Sequence, residues 1–386
     1  MQLLVNRTTI ANLPLIIVFV LYPIISAVFT ILGINTINYE LLNAVILLFF
    51  ITIGIYNNTH VDRRLLTIII LIIYIIFFKY ILPVFYEINV VWRAIFIDIK
   101  WLIYLLLALL WIVFWGKIDF NKLYYYGKIY AVIYICYVVI KTIITGEYDR
   151  ANSGLLSECN YDCYLMLIPF CFYYNKSRKI LEFILFLSAV LISTSKTGFI
   201  TFFAIICYRR FSNSRFKLPI LIVFIGLIAV WLYIYFIKNG VTDAKDVDRV
   251  VYYVQCFDYL KQTSLSNLIF GIFPGKAMEI DPIPSFEWTI QKFEDLNNIS
   301  GCYPFIFHST YIRLGITWGI PTIITIIISL LYLFFKTKSD TLKYLLIVFF
   351  LESISLSTLS LVSISYIYMV TLISAILCRN NQKSIT

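Results

Sequence analysis

The chain has 386 residues, of which 61% are hydrophobic and only 13% charged, and its mean hydropathy is +0.89. That balance lies far from an ordinary soluble domain and reads as an integral membrane protein. The net charge of +10 sits in pairs and triplets of cations at the ends of apolar runs, with no basic stripe on a polar module, which argues against a nucleic-acid partner.

The predicted elements are helices. Crossing a hydrocarbon core as helix takes about 18 or more apolar residues, whereas barrel strands would be short and strictly alternating. About twelve spans follow in chain order, at 12–34, 39–56, 65–86, 94–115, 123–145, 159–174, 179–194, 197–208, 218–238, 307–335, 343–357 and 360–378. The first run is long enough to span and lacks a small-residue cleavage site, so it reads as a retained helix. The fold class is an all-α polytopic membrane protein, with 1–386 as one transmembrane domain.

Orientation follows from the cations. With the N-terminus inside, the inward connections hold Arg63/Arg64, Lys117/Lys122, Lys176/Arg178/Lys179, Arg209/Arg210/Arg215/Lys217, Lys336/Lys338/Lys343 and Arg379/Lys383. This repeats the positive-inside pattern and puts both termini in the cytoplasm. The polar segment 239–307 is then one large outer loop, and it carries five Lys/Arg against nine Asp/Glu. Eight cysteines are scattered without CxxC spacing, which argues against metal or redox motifs. Cys256 and Cys302 share the outer loop and are placed to pair if that side is oxidising.

The outward side offers four candidate cations, Arg150, Lys196, Arg249 and Arg313, and one histidine. Arg150 follows Gly146-Glu147-Tyr148-Asp149, and is either paired with those carboxylates or open to a ligand. Lys196 stands in the turn Ser193-Thr194-Ser195-Lys196-Thr197-Gly198, where it either snorkels to the interface or holds an anion. Arg249 rides on a segment whose apolar positions Val247, Val250, Val251, Val254, Phe257 and Cys256/Leu260 recur at helical spacing. That spacing predicts an amphipathic helix on the outer membrane surface. His308 and Arg313 open the next span in His308-Ser309-Thr310-Tyr311-Ile312-Arg313, and Gly319-Ile320-Pro321 follows. Asp246-Val247-Asp248 is formally a metal-binding pair, but acidic residues are favoured at a helix start anyway. Asp98, Lys100, Lys141 and Glu352 fall within or near spans, where charges face a polar cleft or a partner.

Taken in order, Arg249, then Leu268-Ile269-Phe270-Gly271-Ile272-Phe273-Pro274-Gly275, then His308-Ser-Thr-Tyr-Ile, then Gly319-Ile-Pro resemble the second half of bacterial O-antigen polymerases and O-antigen ligases. Ser195-Lys196-Thr197-Gly198 is similar to that superfamily's "SRTG"-like turn, and Arg150 with Gly154 to its earlier arginine–glycine pair. Ser309 stands where the family usually has Asn, and Lys196 where it has Arg. The resemblance runs from about residue 146 to 335.

The resemblance implies a GT-C-like glycosyltransferase of the bacterial inner membrane, acting on the periplasmic side. It would join repeat units carried on undecaprenyl pyrophosphate, without a cofactor or metal, among membrane lipids and beside a chain-length regulator. The chemistry suits the residues. Charge grows on the leaving pyrophosphate as the glycosidic bond breaks, so Arg150, Lys196, Arg249 and Arg313 are candidates to stabilise it. The acceptor hydroxyl must lose a proton, and His308 is the one histidine of the outer side, with Tyr311 beside it as a binding residue. Two alternatives stay open: a ligase that passes finished glycan to a lipid A core, and a flippase for the same lipid-linked glycan.

Overall fold

The computed structural model describes residues 7–34, 39–57, 63–87, 90–146, 148, 154–156, 158–211, 226, 248–280, 290–291, 294, 301–359 and 362–382. The protein is all-α: it is about 82% helical and has no strand among the described residues. Among the described residues four helices are long and apolar enough to cross a membrane: α1 (Leu13–Ile31), α3 (Leu65–Phe85), α4 (Trp92–Trp115) and α5 (Phe120–Thr145). Between the first two of these lies α2 (Tyr39–Asn57). The remaining helices are α6 (Cys159–Phe170), α7 (Ile180–Ile192), α8 (Lys196–Phe211), α9 (Asp248–Gln262), α10 (Leu265–Phe270), α11 (Thr310–Trp318), α12 (Ile320–Lys336), α13 (Asp340–Ser355) and α14 (Val362–Gln382). Apart from residue 226, the span expected at 218–238 lies outside the described residues.

Local chemistry sets the helix ends. Asp119 caps α5, its carboxylate accepting from the Asn121 amide at 2.8 Å, and Gly146 closes the helix in the left-handed region. Ser264, Ser309 and Ser339 cap α10, α11 and α13 in the same way as Asp119 caps α5.

The most enclosed helix is α6, with eleven of its twelve residues buried. It meets α5 so closely that a Cβ on Gly127 would lie 2.3 Å from the Pro169 ring. α14 runs along α4, and α8 along α13. The basic connections gather at one end of this bundle. There Arg209 pairs with Asp340 at 3.0 Å, Asn175 donates to Thr341 at 2.5 Å, and Lys117 donates to the Leu377 carbonyl at 3.2 Å.

The opposite end is covered by the described part of the long polar segment. It has its own apolar cluster, in which Val251, Tyr252, Cys256, Met278, Cys302 and Phe307 pack on Ala94, Ile312 and Ile316. The Met278 amide donates to the Cys302 carbonyl at 2.7 Å, closing the segment on itself.

The apolar stripe expected on α9 is divided. Val251, Tyr252 and Cys256 are buried, while Val250, Val254 and Phe257 are exposed on another face. Cys256 and Cys302 are free thiols. Burial pushes each thiol up to about 12, so at pH 8 the reactive thiolate is scarce. Iodoacetamide labelling of these two cysteines in the folded protein is expected to lag that in the unfolded chain, and to climb as pH rises toward 12. Labelling as fast as a free peptide thiol at pH 8 would contradict this environment.

The span expected at 307–335 is two helices. Gly319, with φ 82°, ends α11 and starts α12, and Pro321 sits in the first turn beyond it.

Candidate functional site

The C-terminal end of α13, with the turn that follows it, gathers three segments that are remote in sequence. From α8, the Thr197 and Ser355 hydroxyls share a hydrogen bond of 2.7 Å, and one turn deeper Thr201 donates to the Glu352 carboxylate at 2.7 Å. From α11, Ser309 donates to the Ser353 carbonyl at 3.1 Å and Thr310 to the Leu356 carbonyl at 2.9 Å. From α9, the Tyr253 hydroxyl donates to the Ile354 carbonyl at 2.7 Å and shares a 2.9 Å hydrogen bond with Ser309. Ser353, Thr358 and Glu352 are fully buried at the centre. Such a hydroxyl ladder is stable in an apolar bundle because its hydroxyl oxygens find partners there, whereas the second oxygen of the Glu352 carboxylate has no hydrogen-bond partner among the described residues.

His308 stands at the edge of this hub, half-buried. Its carbonyl accepts from Ser357 at 2.9 Å, and its ring meets Tyr252 edge-on at 5.5 Å between centroids. Tyr252 follows Arg249 on α9 by less than one turn. The backbone of Arg249 is therefore brought to the same end of the bundle as His308, and its side chain lies outside the described residues.

Lys196 is the first residue of α8. A cation there opposes the helix dipole, which favours anions at N-termini. The turn before it holds Thr194 at φ 50°, an uncommon conformation for a β-branched residue and a mark of local strain. Ser195 caps the Gly198 amide at 3.1 Å, and a Cβ on Gly198 would meet the Cys163 sulfur at 2.2 Å. The glycine of the Ser-Lys-Thr-Gly turn thus seats α8 on α6. The N-termini of α8 and α11 both lie at this hub, where the Gly198 amide donates to Ser195, the Ile312 amide to Ser309 and the Thr310 amide to the Leu356 carbonyl.

The other expected site residues separate. Arg313 is buried beneath the hub and pairs with Asp98 of α4 at 3.3 Å, while Tyr80 of α3 donates to the same carboxylate at 3.0 Å. Its charge is answered inside the protein, so the arrangement joins three helices rather than presenting a cation to a ligand. The Tyr311 hydroxyl donates to the Phe350 carbonyl at 3.1 Å, tying α11 to α13. Arg150 and Asp246 lie outside the described residues, and Asp248 opens α9.

Leu155 and Leu156 are anchored. Asp162 accepts from the Leu155 amide at 2.6 Å and from the Leu156 amide at 3.2 Å. Tyr148 donates to the Ile192 carbonyl at 2.6 Å, four residues before Lys196.

The two glycine motifs meet directly. The Ile272 amide donates to the Ile316 carbonyl at 2.9 Å. A Cβ on Gly271 would lie 2.2 Å from the Thr317 carbonyl oxygen, and one on Gly319 would lie 2.2 Å from that of Ile269. Lys79 of α3 seals the junction by donating to the Phe270 carbonyl at 2.9 Å.

No family model matches the chain, and neither a curated protein nor a solved structure matches it. The reading of this site therefore rests on its own residues and geometry. Sequence reasoning missed Tyr252, Tyr253 and Asp162. The first two were visible only as aromatics next to Arg249, and the third as an acid in the first turn of a span.

Proposed function

We propose that this protein is a polysaccharide polymerase of the O-antigen polymerase type, a metal-independent glycosyltransferase working at the outward face of a bacterial inner membrane. On this reading the bundle has about twelve spans and a GT-C-like arrangement, both termini are cytoplasmic, and the hub end is periplasmic. A chain-length regulator is the expected protein partner. The observation that carries the proposal is the hub itself. Three motifs whose order suggested the family, at Lys196, at Arg249 and at His308, belong to helices that converge on the end of α13.

The step is a displacement at the anomeric carbon of an undecaprenyl-pyrophosphate-linked glycan. The acceptor hydroxyl forms the new C–O bond as the bond to pyrophosphate breaks, and the pyrophosphate leaves with the electron pair. His308 takes the hydroxyl proton and releases it to water. Lys196, Arg249 and Arg150 stabilise the growing charge on the leaving group. Arg313 and Tyr311 are assigned to positioning α11, and so the ring of His308, rather than to binding pyrophosphate.

The test is polymer formation by the purified full-length protein in nanodiscs, given lipid-linked repeat units and no nucleotide. Ladders are expected in the presence of chelator. His308→Ala is expected to slow turnover by about 10²–10⁴, and Lys196→Ala or Arg249→Ala by about 10²–10³ each. Wild-type rates in all three variants would overturn the assignment, and loss of product on chelation would overturn metal independence. Transfer of glycan only to a lipid A core acceptor would make the protein a ligase. Passage of lipid-linked glycan without any new bond would make it a flippase.

A further inference from the structure

About 10 Å along α9 from the hub, the same helix borders a polar cavity. Tyr259 follows Tyr252 by seven positions, about two turns at 1.5 Å per residue. The cavity has a volume of about 450 Å³ and lies between the end of α9, α10 and residues 272–279, within the range of about 300–1,000 Å³ typical of small-ligand sites. We propose that it is a glycan-binding subsite for an uncharged sugar unit, a reading that rests on the transferase function above and extends it to substrate selection.

Three features of the lining point to sugar. Gln262, Thr263, Ser264 and Asn267 supply amides and hydroxyls, the donor and acceptor mixture that a ring of alcohols needs. Asn267 is half-buried and its amide already donates to Thr263 at 3.3 Å, so these groups are held in place. Tyr259 and Phe273 add half-buried aromatic surfaces against which the C–H face of a pyranose packs.

Charge then narrows the class. The wall holds Glu87 and Glu279 with one ammonium, Lys276, and Lys276 is itself paired with Glu87 at 3.5 Å. The remaining carboxylate repels a uronic or sialic acid and accepts hydroxyls or acetamido N–H groups. Along α9 the cavity lies about two turns, about 10 Å, beyond Tyr252, whose ring meets that of His308. The subsite therefore holds a sugar of the acceptor or donor chain remote from the reacting bond.

The experiment is titration of the full-length protein in nanodiscs with chitotriose and maltotriose as neutral probes and trigalacturonate as the acidic one, alongside a printed array of oligosaccharides. At least one neutral glycan is expected to bind about tenfold or more tighter than its acidic counterpart, and Asn267→Ala and Tyr259→Ala are each expected to weaken it about tenfold, the size of one good hydrogen bond or stacking contact. Glu279→Lys, a surface change that tests charge without touching the packing, is expected to reverse the discrimination. Equal affinity for acidic and neutral glycans, no binding across the array, or unchanged affinity in Asn267→Ala and Tyr259→Ala would overturn the subsite. Neutral-glycan binding without transfer would sink the transferase and leave the subsite. Transfer with wild-type KM in Asn267→Ala would sink the subsite and leave the transferase.

Discussion

Asp98→Ala is expected to destabilise the protein by about 3–5 kcal/mol, because it leaves a guanidinium buried without its counter-ion. Both partners are almost fully enclosed, with side-chain exposures of 7% for Arg313 and 3% for Asp98, so solvent screens little of the loss. The double variant Asp98→Leu/Arg313→Met removes both charges at similar volume and is expected to recover most of that stability, since a buried pair replaced by packed apolar residues is often neutral. Thermal unfolding in detergent, followed by size-exclusion chromatography, measures each step. The same pair decides the role of Arg313. If it only holds α3, α4 and α11 together, the folded double variant keeps turnover. If the double variant folds and is inert, Arg313 acts on substrate and the positioning role is wrong.

Gly271→Ala and Gly319→Ala form the second large expectation. Both glycines have positive φ, 72° and 82°, and each faces a carbonyl of the other's helix across a gap that a Cβ would reduce to 2.2 Å. Backbone strain of about 1–3 kcal/mol at each site adds to overpacking of about 1–3 kcal/mol. Because the obstacle is main chain, it has no rotamer through which to yield. The two substitutions act on one junction, so the double variant is expected to lose less than the sum of the singles. Gly146→Ala is the control: its φ is 72°, yet nothing lies within 4 Å of the added atom, so only the strain term applies. Melting temperatures of the three single variants that fall together would mean that the close approach contributes nothing.

These two features also show where the sequence was legible. The order of the motifs around Gly271, His308 and Gly319 was readable, and the helices bring them to one end of the bundle. Membrane-helix character was readable from hydropathy. The partner of Asp98 was not, because it lies 215 positions away and any buried cation would have satisfied the pattern. The break at Gly319 was signalled by Gly followed by Ile-Pro, a helix stop and restart, but a hydropathy window averages across it because α11 and α12 are both apolar enough. The divided face of α9 escaped for a different reason. Helical spacing identifies a stripe, and here packing against the Cys302 cluster and exposure of Val250, Val254 and Phe257 compete for neighbouring parts of it.

The break at Gly319 separates two kinds of historical constraint. In α11, seven of nine residues are buried, and their neighbours come from α3, α4, α9, α10 and α13, so a change at one position asks for matching changes on several other helices. In α12 no residue is buried, and Ile328, Tyr332 and Phe335 are exposed by 60%, 64% and 72%. Drift on that helix needs to preserve little beyond apolar character, and its sequence can be rewritten one residue at a time. Divergence among descendants of this chain would therefore change tempo abruptly at a single glycine, slow before it and fast after.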